Sequence, residues 1–210
     1  MAQQRRNDIA RYGFIYPLVR MMVEALTRLN LVELFKAIGK KLAKKKSAEV
    51  PNMRISIDVF IVLKWTVVLG MWLAGLNHPI ATIAIVYLLI ANIFTYFYCH
   101  VWHPPFNDDD ENLRSRFVTM AIALCYSIVC FGYLYAVPFS THFNVSEEIG
   151  HSLGGLCFSI ANSMLTDFSP VTAASNTAQA LVLLQKVTTF IFISIILATS
   201  LPQFSKPRKP

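Results

Sequence analysis

Charged side chains are scarce: they make up 15% of the 210 residues, against about a quarter in a soluble domain. That scarcity excludes a sizeable soluble domain. Cysteine is scarce as well. Cys99, Cys125, Cys130 and Cys157 lie in or beside apolar runs and none forms a CxxC pair, so they read as small buried hydrophobes rather than a disulfide framework. Cys99, His100 and His103 lack the fourth ligand that a structural zinc site requires. The acidic run from Asp108 to Glu111 lacks the glycine and the closing glutamate of a calcium loop. No histidine is paired with a Ser or Cys nucleophile, so neither enzymatic chemistry nor a cofactor is expected. No short apolar stretch with a small-residue cleavage site follows the start, so no signal peptide is expected.

Apolar residues are abundant instead. They form 55% of the chain, the mean hydropathy is +0.49, and they are gathered into runs of about 20, the length that crosses a hydrocarbon core. The expected fold is all-α and polytopic. Spans are predicted at Ile55 to Leu76, Ile80 to Tyr98, Phe117 to Val137 and Ala178 to Leu201. Asn77-His78-Pro79 makes a tight turn, and the aromatic cluster Phe94, Tyr96, Phe97, Tyr98, Trp102 suits a membrane–water interface. Asp58 and Lys64 fall inside the first span. Asp58 is near its start, whereas Lys64 lies deeper and is read in two ways: as a snorkelling side chain or as half of a buried pair.

Residues 1–52 are basic. Apolar Phe14, Leu18, Met22, Leu26 and Leu29 recur at helical spacing, as do Leu31, Leu34, Phe35, Ile38 and Leu42, and the stretch AEVPN at 48–52 reads as a break. This segment is expected to be an amphipathic interfacial helix, with Lys40, Lys41, Lys44, Lys45 and Lys46 on anionic headgroups or on a cytosolic protein partner. A helix packed beneath the membrane bundle is the second reading. Nucleic acid is not expected, because membrane topology explains the positive charge more simply. Residues 53–204 form the membrane domain, and 205–210 a basic tail.

The informative stretch runs from Ser152 to Leu201. Ser152 to Met164 is apolar and helical but too short to cross a bilayer. A polar turn follows from Leu165 to Asn176, then a full span. A helix that enters and turns back, with a span behind it, is a re-entrant unit, placed here at 152–176. Irregular backbone at membrane depth is tolerated only beside protein or water, so a pore or a cavity is implied.

Charge sets the topology. Arg114, Arg116, the basic N-terminus and the tail fall on one side of a four-span chain, while Asn77 to Pro79 and Pro138 to Ala178 carry no Lys or Arg. The positive-inside rule then puts both termini in the cytoplasm, in the cytoplasmic (inner) membrane. The outer face would carry Glu147, Glu148 and Asp167, a surface that concentrates cations.

FSIANSMLTDFSPVT, followed by AQALVLLQKVTTFIFISIILATSL, resembles the tetrameric cation-channel pore domain over residues 117–201, and in particular the bacterial two-helix potassium channel. Phe158 and Ser159 match the start of the pore-helix motif, and Asp167, Ser169, Pro170, Val171 and Thr172 match the segment after the filter. The resemblance implies a pore helix, a filter at Asn162, Ser163, Met164, Leu165, Thr166 and Asp167, an inner helix and a homotetramer. The glycines of the potassium filter are absent here. Met and Leu resist the backbone that a carbonyl-lined filter needs. Three outcomes follow: a wider cation path lined by Asn162, Ser163, Thr166 and Asp167; a hydrophobic constriction at Met164 and Leu165; or a scaffold that no longer conducts. Lys186 in the last span faces either the pore or a carboxylate elsewhere. Asp167 is either a pore-mouth charge or a helix cap. The first two spans carry no arginine ladder, so no voltage sensor is expected.

The functional expectation is an ion-channel-like pore, cation-preferring if it conducts. The alternative is a non-conducting membrane scaffold or sensor that recruits a cytosolic effector, as in bacterial antiviral defence or toxin pairs.

Overall fold

A computed structural model describes residues 15–28, 31–42, 49–102 and 110–200. Lys44, Lys45, Lys46, Asp108 and the tail at 205–210 lie outside them. The chain divides into two compact units, Met1–Ile61 and Val62–Pro210.

The first unit holds two short helices, α1 (Ile15–Arg28) and α2 (Leu31–Leu42), and the start of α3 (Glu49–Leu73). Both short helices are two-sided. Val23 and Val32 are buried, whereas Ile15, Leu18, Met22, Leu26, Leu34 and Ile38 stay exposed. Arg20 Nε meets Glu24 Oε1 at 2.9 Å one turn on. Within this unit the rings of Phe35 and Phe60 lie 5.0 Å apart. The break expected at 48–52 is instead the first turn of α3, which begins at Glu49. Pro51 causes no interruption there, because the N–H it lacks has no intrahelical partner in a first turn.

The second unit continues α3 and adds α4 (Pro79–Phe97), α5 (Asp110–Ala136), α6 (His151–Ser163) and α7 (Asn176–Ser200), with two three-residue strands, β1 (Phe143–Val145) and β2 (Val171–Ala173). Four stretches are long and apolar enough to cross a membrane: Ile55–Leu73, Pro79–Phe97, Phe117–Ala136 and Asn176–Leu197. The fold is all-α in its framework and fits a polytopic membrane protein. His78 closes the turn between the first two spans, its Nδ1 accepting from the Ile80 N–H at 3.2 Å, with Pro79 at the first helical position. At its far end α4 widens into a π turn, Tyr98–Trp102.

The third span is the centre of this unit. Half of it is buried, against a third of the second and fourth spans and 17% of the first. Tyr126, Phe131, Tyr133 and Tyr135 are almost wholly enclosed. Each places a large ring in the core and carries, where it is a tyrosine, a polar tip that needs a partner. Tyr133 meets the Leu76 carbonyl at 2.6 Å. Trp65 and Trp72 cross Tyr126 and Tyr133 edge-on at 5.5 and 6.4 Å.

Helix α6 lies tightly against α5 because neither side presents bulk at the contact. A Cβ added to Gly155 would stand 2.8 Å from the Gly132 carbonyl oxygen and 2.8 Å from the Ala136 Cβ. Small residues let helix backbones approach where no hydrophobic effect drives them together. Strands β1 and β2 pair antiparallel, Phe143 with Ala173 and Val145 with Val171, so the ladder clips together the chain on either side of α6. The polar composition of 138–150 gave no sign of this ladder.

Candidate functional site: a capped half-helix and its buried amides

The site is built on α6. Its thirteen residues are too few to cross a membrane, and polar side chains hold it between α5 and α7. Gln185 of α7 is the hub. Its Oε1 accepts from the Tyr135 hydroxyl at 2.6 Å and from Asn162 Nδ2 at 2.8 Å. Its Nε2 donates to the Ser159 carbonyl at 2.8 Å and to Ser159 Oγ at 2.7 Å. Ser159 Oγ in turn donates to the Ile128 carbonyl at 2.7 Å, and Asn162 Nδ2 also reaches the Val182 carbonyl at 3.2 Å. All four side chains are buried. A buried amide is costly unless its polar atoms are satisfied, and here both ends of Gln185 are.

The end of α6 is a Schellman motif. The Leu165 N–H donates to the Asn162 carbonyl at 3.2 Å and the Thr166 N–H to the Ala161 carbonyl at 2.9 Å. Such a motif needs one left-handed residue, usually glycine. Here it is Leu165, with φ at 57°. The sequence argues that Leu resists this backbone, yet the chain adopts it. The two capping bonds and Thr166 Oγ1 on the same Ala161 carbonyl, at 3.0 Å, hold it in place. A non-glycine residue in this region stores roughly 1–2 kcal/mol.

The six residues expected to form a filter are thereby split. Asn162 and Ser163 are buried inside the chain's own fold, Asn162 in the Gln185 network and Ser163 with its hydroxyl on the Ile160 carbonyl at 2.7 Å. Met164, Leu165, Thr166 and Asp167 form an exposed tip, with Met164 at 70% and Leu165 at 67% exposure. Asp167 makes no hydrogen bond or ion pair among the described residues. The cap of α7 is Ser175, whose Oγ accepts from the Ala178 N–H at 3.2 Å.

Asp167 and Lys186 line one cleft of about 370 Å³, with Phe158, Phe168, Val182 and Leu183 among its walls. Lys186 is half-buried and sits near the middle of the Asn176–Leu197 span, where an uncompensated lysine costs roughly 2.5–3.5 kcal/mol on insertion scales. Of the basic residues named near the N-terminus, Lys41 is exposed and Lys40 lies in α2.

A second polar cluster joins the first three spans. Lys64 is buried, and its Nζ donates to Asn92 Oδ1 at 2.6 Å. Asn92 Nδ2 donates to the Ala123 carbonyl at 3.0 Å and to Ser127 Oγ at 3.2 Å. The Lys64 ammonium stands 4.5 Å from the centre of the Tyr126 ring and 6.0 Å from that of Tyr96, within cation–π range. The lysine is thus held by a neutral amide and two aromatic faces, and it is not a snorkelling side chain. Tyr126 Oη, beside the Cys130 thiol, has no nitrogen or oxygen partner among the described residues.

Sequence reasoning passed over Gln185, Tyr135 and Asn92, and took Ser159 only as part of the pore-helix resemblance. Asn92 and Gln185 did carry a signal: an amide inside an apolar span is rare enough to imply a partner. No protein-family model matches the chain, nor does any curated protein or any solved structure.

Proposed function

We propose that this protein is an ion-channel-like pore of the cytoplasmic membrane, a homotetramer that prefers cations. In this reading α6 is a re-entrant pore helix, α7 the inner helix and α5 the outer one, as in the cation-channel pore domains that residues 117–201 resemble. Both termini are cytoplasmic. The observation that carries the reading is a half-length helix fixed by the Gln185 network between two spans, ending in an exposed tip that bears Asp167. Irregular backbone at membrane depth is tolerated only where protein buries it or water lies beside it, and this chain leaves the tip at 164–167 uncovered.

The path would be lined by Thr166, Asp167 and tip backbone, since Asn162 and Ser163 are taken up inside the protomer. Four Asp167 carboxylates around an axis would concentrate cations. Helices α1 and α2 are the amphipathic segment of this proposal. They lie in the interface with Leu18, Met22, Leu34 and Ile38 in the acyl boundary and Lys40, Lys41, Lys44, Lys45 and Lys46 on anionic headgroups.

Ion flux into liposomes holding the purified protein tests the pore, with potassium, sodium and chloride compared. Cation flux that falls in Asp167→Asn supports it. A stable monomer by native mass spectrometry, or equal flux in the variant, removes either the pore or Asp167 from it.

A second reading keeps the scaffold without conduction: a membrane sensor that recruits a cytosolic effector through its basic N-terminal segment. Leu165 in the filter position favours it. Folded, tetrameric protein without flux, whose binding of a cytosolic protein is lost when the five lysines become Gln, would establish this reading instead.

A further inference from the structure

The cleft beside α7 brings together two side chains of opposite sign, Asp167 and Lys186, in walls that are otherwise apolar or neutral. The two charges do not pair with each other, and neither has another partner among the described residues. We propose that this cleft binds a zwitterionic phospholipid, with the headgroup phosphate on Lys186 and the ammonium on Asp167.

Size, sign and direction support this occupant. A volume of about 370 Å³ lies at the lower end of the range for small-ligand sites, enough for a headgroup. A simple cation would be opposed by Lys186 and a simple anion by Asp167, so a ligand with both signs is favoured over either. Gln179 and Lys186 both line the cleft. They are seven residues apart on α7, about 10 Å along its axis. Helical side chains lean toward the helix N-terminus, so the Lys186 stem runs back toward the Asn176 end. That is the end where Gln179 lies.

The walls suit a lipid chain. Phe158, Phe168 and Val182 are only partly exposed, while Leu183, Val187 and Phe190 of α7 are 63%, 48% and 70% exposed. These three continue from the cleft along the outside of the helix. A soluble zwitterion such as an amino acid would leave this apolar track without a partner. The proposal does not rest on the pore reading and competes with it for Asp167, since a carboxylate that holds a lipid ammonium does not also line a cation path; lipid preference lost in Asp167→Asn with ion flux unchanged would assign the side chain to the lipid.

Native mass spectrometry of the detergent-purified full chain tests it, with phosphatidylethanolamine, phosphatidylcholine and phosphatidylglycerol titrated in turn. The two zwitterionic lipids should bind about tenfold more tightly than the anionic one, the value of one charge-assisted contact. Lys186→Gln should weaken all three about tenfold, and Lys186→Arg should restore them. Asp167→Asn should abolish the preference for zwitterionic lipid while leaving phosphatidylglycerol binding equal or stronger. Free phosphoethanolamine should compete only weakly, because it lacks the chains. Equal binding of the three lipids by the unaltered protein overturns the proposal. So does unchanged binding in Lys186→Gln that retains its helical circular dichroism. Full competition by phosphoethanolamine overturns the lipid as occupant. If Lys186→Gln does not fold, the Asp167→Asn comparison decides, since that side chain is exposed.

Discussion

Replacing Gln185 with Leu tests how much of the fold rests on one amide. The side chain receives two hydrogen bonds and donates two, at 2.6 to 2.8 Å, and they join α7 to both α5 and α6. Interhelical hydrogen bonds within membranes average about 0.6 kcal/mol each, with about 1.7 as the upper end. Four of them give roughly 2–3 kcal/mol. The partners do not suffer equally. Ser159 Oγ keeps its bond to Ile128, and Asn162 keeps Val182. The Tyr135 hydroxyl loses the acceptor it donates to, and a buried unsatisfied donor costs about 1–3 kcal/mol. Gln185→Leu should therefore destabilise the protein by about 3–6 kcal/mol. Tyr135→Phe alone should cost about 1 kcal/mol, and adding it to Gln185→Leu should recover about 1 kcal/mol by removing the orphaned hydroxyl. The assay is reversible unfolding in mixed micelles at increasing dodecyl sulfate fraction, followed by tryptophan fluorescence. A loss below about 0.5 kcal/mol in the single variant, or a double variant weaker than the single, would refute the assignment of Gln185 as hub.

Four further variants probe the backbone and the second cluster. Leu165→Gly should stabilise by about 1 kcal/mol in the same assay, because glycine carries no penalty for the left-handed cap; a destabilised variant would mean that the leucine side chain contributes more than the strain it causes. Gly155→Ala should cost about 1–3 kcal/mol, since the added methyl meets the Gly132 carbonyl at 2.8 Å and backbone must move. An unfolding midpoint like that of the unaltered protein would show that α6 and α5 can separate freely. Asn92→Leu strips Lys64 of its hydrogen-bond acceptor and should destabilise by about 2–4 kcal/mol, while Lys64→Met combined with Asn92→Leu should be milder than Asn92→Leu alone. Equal losses in both would remove the Lys64–Asn92 contact from the stability of the first three spans.

Much of the helical layout was readable because the signal is coarse. Four apolar runs of about 20 residues and a half-length fifth are visible in composition, and the observed helices start and stop within a few residues of the expected ends, apart from polar extensions before the first and third spans. The start of α3 was misplaced because proline reads as a breaker until its position in the first turn is known. The polar chemistry was less legible. Lys64 stood out by its charge, but its partner could not be named, because the neutral amide that satisfies it lies 28 residues away on another helix. Asn162 was grouped with its sequence neighbours as lining. Helical rotation sends it into the core while Met164 to Asp167, beyond its last turn, stay exposed. Leucine was taken to resist the backbone that glycine permits, which is a statement about intrinsic cost. Two capping bonds offset that cost for Leu165.

The β1–β2 ladder has a mechanical consequence. Phe143 to Val145 and Val171 to Ala173 lie side by side, so tension arriving along α5 or α7 from their ladder ends crosses from strand to strand and bypasses everything between. Helix α6 hangs from that clip like a weight from a closed ring. The tip at 164–167 is still tied to its surroundings: three residues join it to β2, Gly155 packs on Gly132 and Ala136 of α5, and Gln185 grips α6 from α7. A shift of α5 or α7 against α6 therefore reaches the tip even where the ladder itself holds.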